Sequence, residues 1–168
     1  MTEQAARALL AERGAGTVPH PGGTLAAHLD RVHATLTAWG ARPELRLAGL
    51  CHAFYGTDGF PRALGRRDEL APVIGPDAEA LVYFYASCDR AFSYPRLVDG
   101  GTFRDRFTGA VSVPDTAARR DFAELTVANE LDVLRHADFD GAELLALFAA
   151  WTPLLGEDAR RAVSRAAW

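Results

Sequence analysis

Between Thr24 and Gly40 the chain reads TLAAHLDRVHATLTAWG, and its apolar residues Leu25, Leu29, Val32, Leu36 and Trp39 return every three or four positions. That spacing lays them along one stripe of an α-helix, whereas a half-buried strand would alternate. Thr24 supplies the N-cap and Gly40 the stop. The same punctuation recurs along the chain. Thr2 opens a helix to about Arg13, ahead of Gly14 and Gly16, and GTVPHPGGT reads as the loop that follows. Pro43 stands in the first turn of PELRLAGLCHAFY, which is apolar nearly all round and is predicted to be central. GTDGFPRALGRR is a loop, followed by a short helix near 67–73 and a longer one over PDAEALVYFYASCDR. Asp115 caps a helix of roughly 116–136, with Phe122, Leu125, Ala128, Leu131 and Leu134 near one face. GAELLALFAAWTPLL and EDARRAVSRAAW complete the series. The least helical part is 91–113, where DGG is a turn and a small hairpin fits. The predicted fold is all-α: a compact bundle of six or seven helices, with a short irregular or hairpin insertion near 91–113, in a single domain spanning 1–168.

The 168 residues suffice for one sizeable core, and 49% apolar against 24% charged residues is an ordinary globular balance. Net charge is −4 and the positive charges are spread, so no basic stripe is present to neutralise nucleic acid. All 18 basic residues are arginine, which excludes Schiff-base lysine chemistry. No apolar run approaches the roughly 18–20 residues that cross a bilayer. MTEQAARALLAERG is an amphipathic segment containing acids, unlike a signal peptide. Cys51 and Cys88 lack CxxC spacing and read as reduced thiols. These features point to a cytoplasmic protein whose partner is a small molecule, neither nucleic acid nor membrane. The oligomeric state is open.

His28 lies at the edge of the buried stripe and His52 in the last turn of the third helix, 24 positions later. With LRLAGLCHAFYGT and ANELDVL, the histidine helix resembles the HD domain superfamily of helical metal-dependent phosphohydrolases. The spacing is closest to the guanosine tetraphosphate hydrolase branch, and the resemblance covers roughly residues 20–136. It implies a divalent metal, iron, manganese or zinc, that acidifies a water for attack on phosphorus. His28 and His52 fall on the two family histidines. Ala53 stands where the family has its first aspartate, and Asn129 where it has its second. Gly56 and Thr57 replace the acidic pair of the tetraphosphate hydrolases. HAFYGTDGF is also similar to a group of HD-like proteins carrying H-S-x-Y-G-T-x-x-F after a D-H-L helix.

A site without those carboxylates needs substitutes. Asp58 is the nearest carboxylate to His52, and Tyr55 is placed to donate a proton to a leaving oxygen. Asn129 and Asp132 complete the expected metal set with His28 and His52. His20, Thr57, Asp89, Arg90 and His136 are further candidates for the pocket wall. The expected activity is metal-assisted hydrolysis of a phosphate ester or related small molecule. The alternatives are a non-catalytic module that binds a small ligand or protein, and an iron-dependent oxygenase of the HD type.

Overall fold

A computed structural model describes residues 2–167, and it is predominantly helical. Helix α1 (Glu3–Glu12) is capped by Thr2, whose hydroxyl accepts from the Ala5 amide at 3.1 Å. A two-stranded hairpin, β1 (Pro19–His20) and β2 (Gly23–Thr24), leads into α2 (Leu25–Ala38) and α3 (Pro43–Cys51). Next come α4 (Arg67–Ile74), α5 (Pro76–Ala86) and the single turn α6 (Arg90–Ser93). A second hairpin, β3 (Phe103–Arg104) with β4 (Val111–Ser112), precedes the long α7 (Thr116–His136). The last helices are α8 (Ala142–Ala150) and α9 (Glu157–Ala166).

Three expectations need correction. Among the described residues the helices number nine, not six or seven, partly because the 91–113 region begins helically with α6, capped by Asp89 through a 3.1 Å bond from the Phe92 amide. The protein is not strictly all-α: GTVPHPGGT forms the β1–β2 hairpin, since Pro21-Gly22 suits a two-residue turn. The hairpin of the insertion does exist, and DGG is a turn as expected, although it precedes the hairpin rather than closing it. Residues 105–110 close it, with the Asp105 carboxylate accepting from the Phe107 and Thr108 amides at 2.7 and 3.2 Å. Finally, α3 stops at Cys51 rather than running to Tyr55.

Two clusters of buried side chains meet around α2, α3 and α5. One joins Val32, Leu36, Leu45, Phe122, Leu125, Phe148 and Trp151. The other joins Leu10, Leu25, Leu29, Leu50, Phe54 and Leu70. Helix α3 packs against α2 so closely that a Cβ on Gly49 would sit 2.4 Å from Leu36 Cδ1, so glycine is what permits the approach. Every residue of α7 from Leu125 to Asp132 is buried, so α7 shares the central position predicted for α3. This buries three polar residues close together on α7, Asn129, Glu130 and Asp132, and each must find a partner.

Candidate functional site

Asn129 and Asp132 find their partners in His28, and Glu130 finds its own in Arg90. Helix α2 carries His28, 1% exposed, against α7, and its Nδ1 lies 2.7 Å from Asp132 Oδ2. Asp132 also accepts from Arg31, Nε to Oδ1 at 2.7 Å and Nη2 to Oδ2 at 3.0 Å. On the other side of the ring, His28 Nε2 lies 2.8 Å from Asn129 Oδ1 and 3.4 Å from His52 Nε2. His52 follows the last residue of α3, and its Nδ1–H donates to the Gly49 carbonyl at 2.7 Å, satisfying one of the carbonyls left over at a helix end. The Tyr85 ring meets His52 edge-on, with centroids 5.3 Å apart.

These bonds set tautomers. A carboxylate and a carbonyl accept only, so Nδ1 of each histidine carries hydrogen. In the neutral rings both Nε2 lone pairs then face one another beside the Asn129 carbonyl oxygen. Burial, followed by the charge of His28, pushes His52 down to about 3, so His52 is neutral near pH 7. Burial alone would raise the Asp132 carboxyl, but the hydrogen bonds from His28 and Arg31 override it and hold the group well below the usual carboxylate range.

A cavity of about 160 Å³ opens beside this cluster. Its wall includes His20, His28, His52, Thr57, Arg90 and Asn129, together with Gly59, Phe60 and Glu130. The β1–β2 hairpin covers one side: His20 stacks on His28 with centroids 4.0 Å apart, and Phe60 meets His20 edge-on at 5.4 Å. Burial and then the neighbouring His28 lower His20 to about 4. Thr57 and Phe60 bond each other's backbone at 2.8 and 3.1 Å, which folds the loop after α3 over the opening.

Several expected residues lie elsewhere. Tyr55 turns away from the cavity and donates to Glu79 at 2.8 Å, while Arg67 grips the same carboxylate at 2.6 and 2.7 Å. Burial and that neighbour raise the Tyr55 phenol far above its ordinary value. Asp58 is exposed, and its carboxylate accepts from the Arg90 amide at 2.9 Å, a bond that positions α6. Asp89 caps α6 and faces Arg104 at 3.4 Å. His136 donates to the Asp132 carbonyl at 2.8 Å beneath the β1–β2 turn. Asp132 stands behind His28 instead of in the cavity wall. Of the expected set, His20, His28, His52, Thr57, Arg90 and Asn129 come together.

Three participants went unnoticed in the sequence: Arg31, Glu130 and Tyr85. Arg31 follows His28 by three positions, which puts both on one helix face, so that signal was present. Glu130 and Tyr85 carry no local signal, because their places depend on how α5 and α7 cross.

The two histidines and Asn129 suit a borderline divalent ion. Two ligands of one tetrahedral ion at about 2.0–2.1 Å lie about 3.4 Å apart, and the Nε2 atoms are separated by 3.4 Å. Each Nδ1 is also held by an oxygen, the outer support usual for histidine ligands. No carboxylate joins them: among the described residues no group of three or more His, Cys, Asp or Glu side chains is arranged to hold a metal.

Residues 9–90, slightly under half of the chain, match a family model described as a domain of unknown function (DUF6817). That span includes His20, His28, His52 and Arg90 but leaves out α7. No curated protein and no solved structure matches the chain. Among the described residues no helix is long and apolar enough to cross a membrane.

Proposed function

We propose that this is an HD-like helical protein that acts on a small molecule at the cavity beside His28 and His52, by metal-assisted hydrolysis of a phosphate ester or related bond. One observation carries the reading: two buried histidines, each fixed through Nδ1 by an oxygen acceptor, direct Nε2 at one another across 3.4 Å beside Asn129 Oδ1. Neutral rings so arranged bring acceptors together without a donor, and a cation at their meeting point removes the conflict. A divalent iron, manganese or zinc ion there would acidify a water and polarise the bond it attacks. The protein's share is to orient the imidazoles through Asp132 and Gly49 and to exclude bulk water with the His20 hairpin and the Phe60 loop. The acid–base roles first given to Tyr55 and Asp58 have no support in the geometry. His20 and Glu130 are the titratable groups that replace them at the cavity wall.

A second reading, a metal-free ligand-binding module, is favoured by a different observation. Both His28 nitrogens face oxygen, Asp132 at 2.7 Å and Asn129 at 2.8 Å, and an imidazolium satisfies both without a metal. The two-iron alternative requires a second set of ligands that the cavity wall does not supply.

Elemental mass spectrometry of protein purified without an affinity tag separates the readings. About one equivalent of iron, manganese or zinc that disappears in a His28→Ala, His52→Ala double variant supports the metal site. Absence of metal from the wild type, even after reconstitution, refutes it and leaves the binding module.

A further inference from the structure

The cavity wall contains a largely buried ion pair, Arg90 with Glu130, that is joined by a single hydrogen bond. Arg31 and Arg67 each hold a carboxylate with two donors, at 2.7 and 3.0 Å to Asp132 and at 2.6 and 2.7 Å to Glu79. Arg90 meets Glu130 through a single bond, Nη1 to Oε1 at 2.8 Å, and reaches only the Tyr85 hydroxyl besides, at 3.5 Å. Glu130 Oε1 also takes the Asn129 amide at 3.2 Å. Arg90 lines the cavity, although its side chain is only 22% exposed. A guanidinium is built to grip two oxygens in its plane, and a largely buried one that grips a single oxygen is incompletely satisfied.

The neighbours keep this arrangement open. Gly59 leaves room for the guanidinium, since a Cβ there would come within 2.5 Å of Nη1. Asp58 bonds the backbone of Arg90 rather than its side chain, so it does not neutralise the charge. The Tyr94 ring lies beneath the guanidinium, 5.7 Å from centroid to carbon.

We propose that Arg90 is the specificity-determining residue of the cavity, receiving a compact oxyanion group of the ligand, and that Glu130 occupies its fork until that group arrives. This rests on reading the cavity as a ligand site, and it holds with or without a metal at the histidines. The volume, about 160 Å³, is well below the roughly 300 Å³ at which drug-sized sites begin. Only one small charged group therefore enters, and the remainder of a larger ligand stays outside. Phosphate and carboxylate share the required chemistry.

The test is titration calorimetry at constant ionic strength, with inorganic phosphate in one arm and acetate in the other. Proteins compared are the wild type with and without EDTA treatment, Glu130→Gln, Arg90→Gln and Gly59→Ala, each checked for folding by circular dichroism. Removing the internal competitor in Glu130→Gln is expected to tighten binding about tenfold. Arg90→Gln is expected to abolish it, and Gly59→Ala, which displaces Nη1, to weaken it. Wild-type protein stripped of metal with EDTA keeps anion binding with the cavity wall intact, so failure of the metal reading is told apart from failure of this one. The arm that responds identifies the group as phosphate or carboxylate. Equal affinities in the wild type and Glu130→Gln, or undiminished binding in a folded Arg90→Gln protein, overturn the proposal. If Arg90→Gln does not fold, Glu130→Gln and Gly59→Ala decide it.

Discussion

Replacing Asp132 by alanine tests whether His28 is held in place from behind. The change removes a carboxylate with 4% side-chain exposure that accepts from His28 at 2.7 Å and from Arg31 at 2.7 and 3.0 Å. The Nδ1–H of His28 is then left buried without an acceptor, which costs about 1–3 kcal/mol. Arg31 is 32% exposed and rehydrates, so its share is screened and adds less than about 1 kcal/mol. The sum is about 1–4 kcal/mol, whose upper part reaches the range for breaking a buried ion pair. For a chain of this size, that lowers the melting temperature by roughly 2–16 °C. Asp132→Asn keeps an oxygen for Nδ1–H and loses only the charge, at about 1–2 kcal/mol. Urea denaturation and calorimetric melting of the three proteins give these differences directly. If a metal occupies the histidine site, the same substitution weakens it about 10- to 100-fold. An alanine variant within about 0.5 kcal/mol of the wild type, or an asparagine variant as unstable as alanine, refutes the assignment of Asp132 as the support of His28.

Two further outcomes follow from the geometry. Tyr55→Phe removes a bond to a charged acceptor and is expected to cost about 1.5–3 kcal/mol in urea denaturation. Metal content and phosphate affinity should stay unchanged, and a loss of either in the folded variant would return Tyr55 to the site. In metal-free protein, stability should fall on acidification between about pH 6.5 and pH 3. His52 and His20 are lowered to about 3 and about 4, so in that window the unfolded chain binds more protons than the folded one. Their contribution is complete above the ordinary histidine value and is lost as pH falls, with a slope of up to about 1.4 kcal/mol per pH unit for each group. Unfolding measured at pH 7.5 and pH 4.5 should show the slope reduced in the double-histidine variant. An unchanged slope would mean that His52 is not buried neutral.

The sequence alone determined the longer helices and the face that α2 buries. Leu25, Leu29, Val32 and Leu36 repeat with the helical period, a local property that needs no knowledge of neighbours, and all four are buried in α2. Asp115 and Thr24 marked helix starts for the same reason, since each caps an amide three residues ahead. The histidine spacing was legible too, and His28 and His52 do meet. Tertiary structure alone decided the direction of the loop and helix-end side chains. Tyr55 and Asp58 are neighbours of His52 in sequence, yet one reaches Glu79 and the other the Arg90 amide, because the chain turns between α3 and Phe60. It also decided that Asp132 stands behind His28 while Glu130, two positions earlier, faces the cavity with Arg90. Residues two apart on a helix point about 200° apart, so the crossing of α7 over α2 selects which carboxylate reaches the ligand side. That crossing joins residues more than 100 positions apart, and no local pattern encodes it.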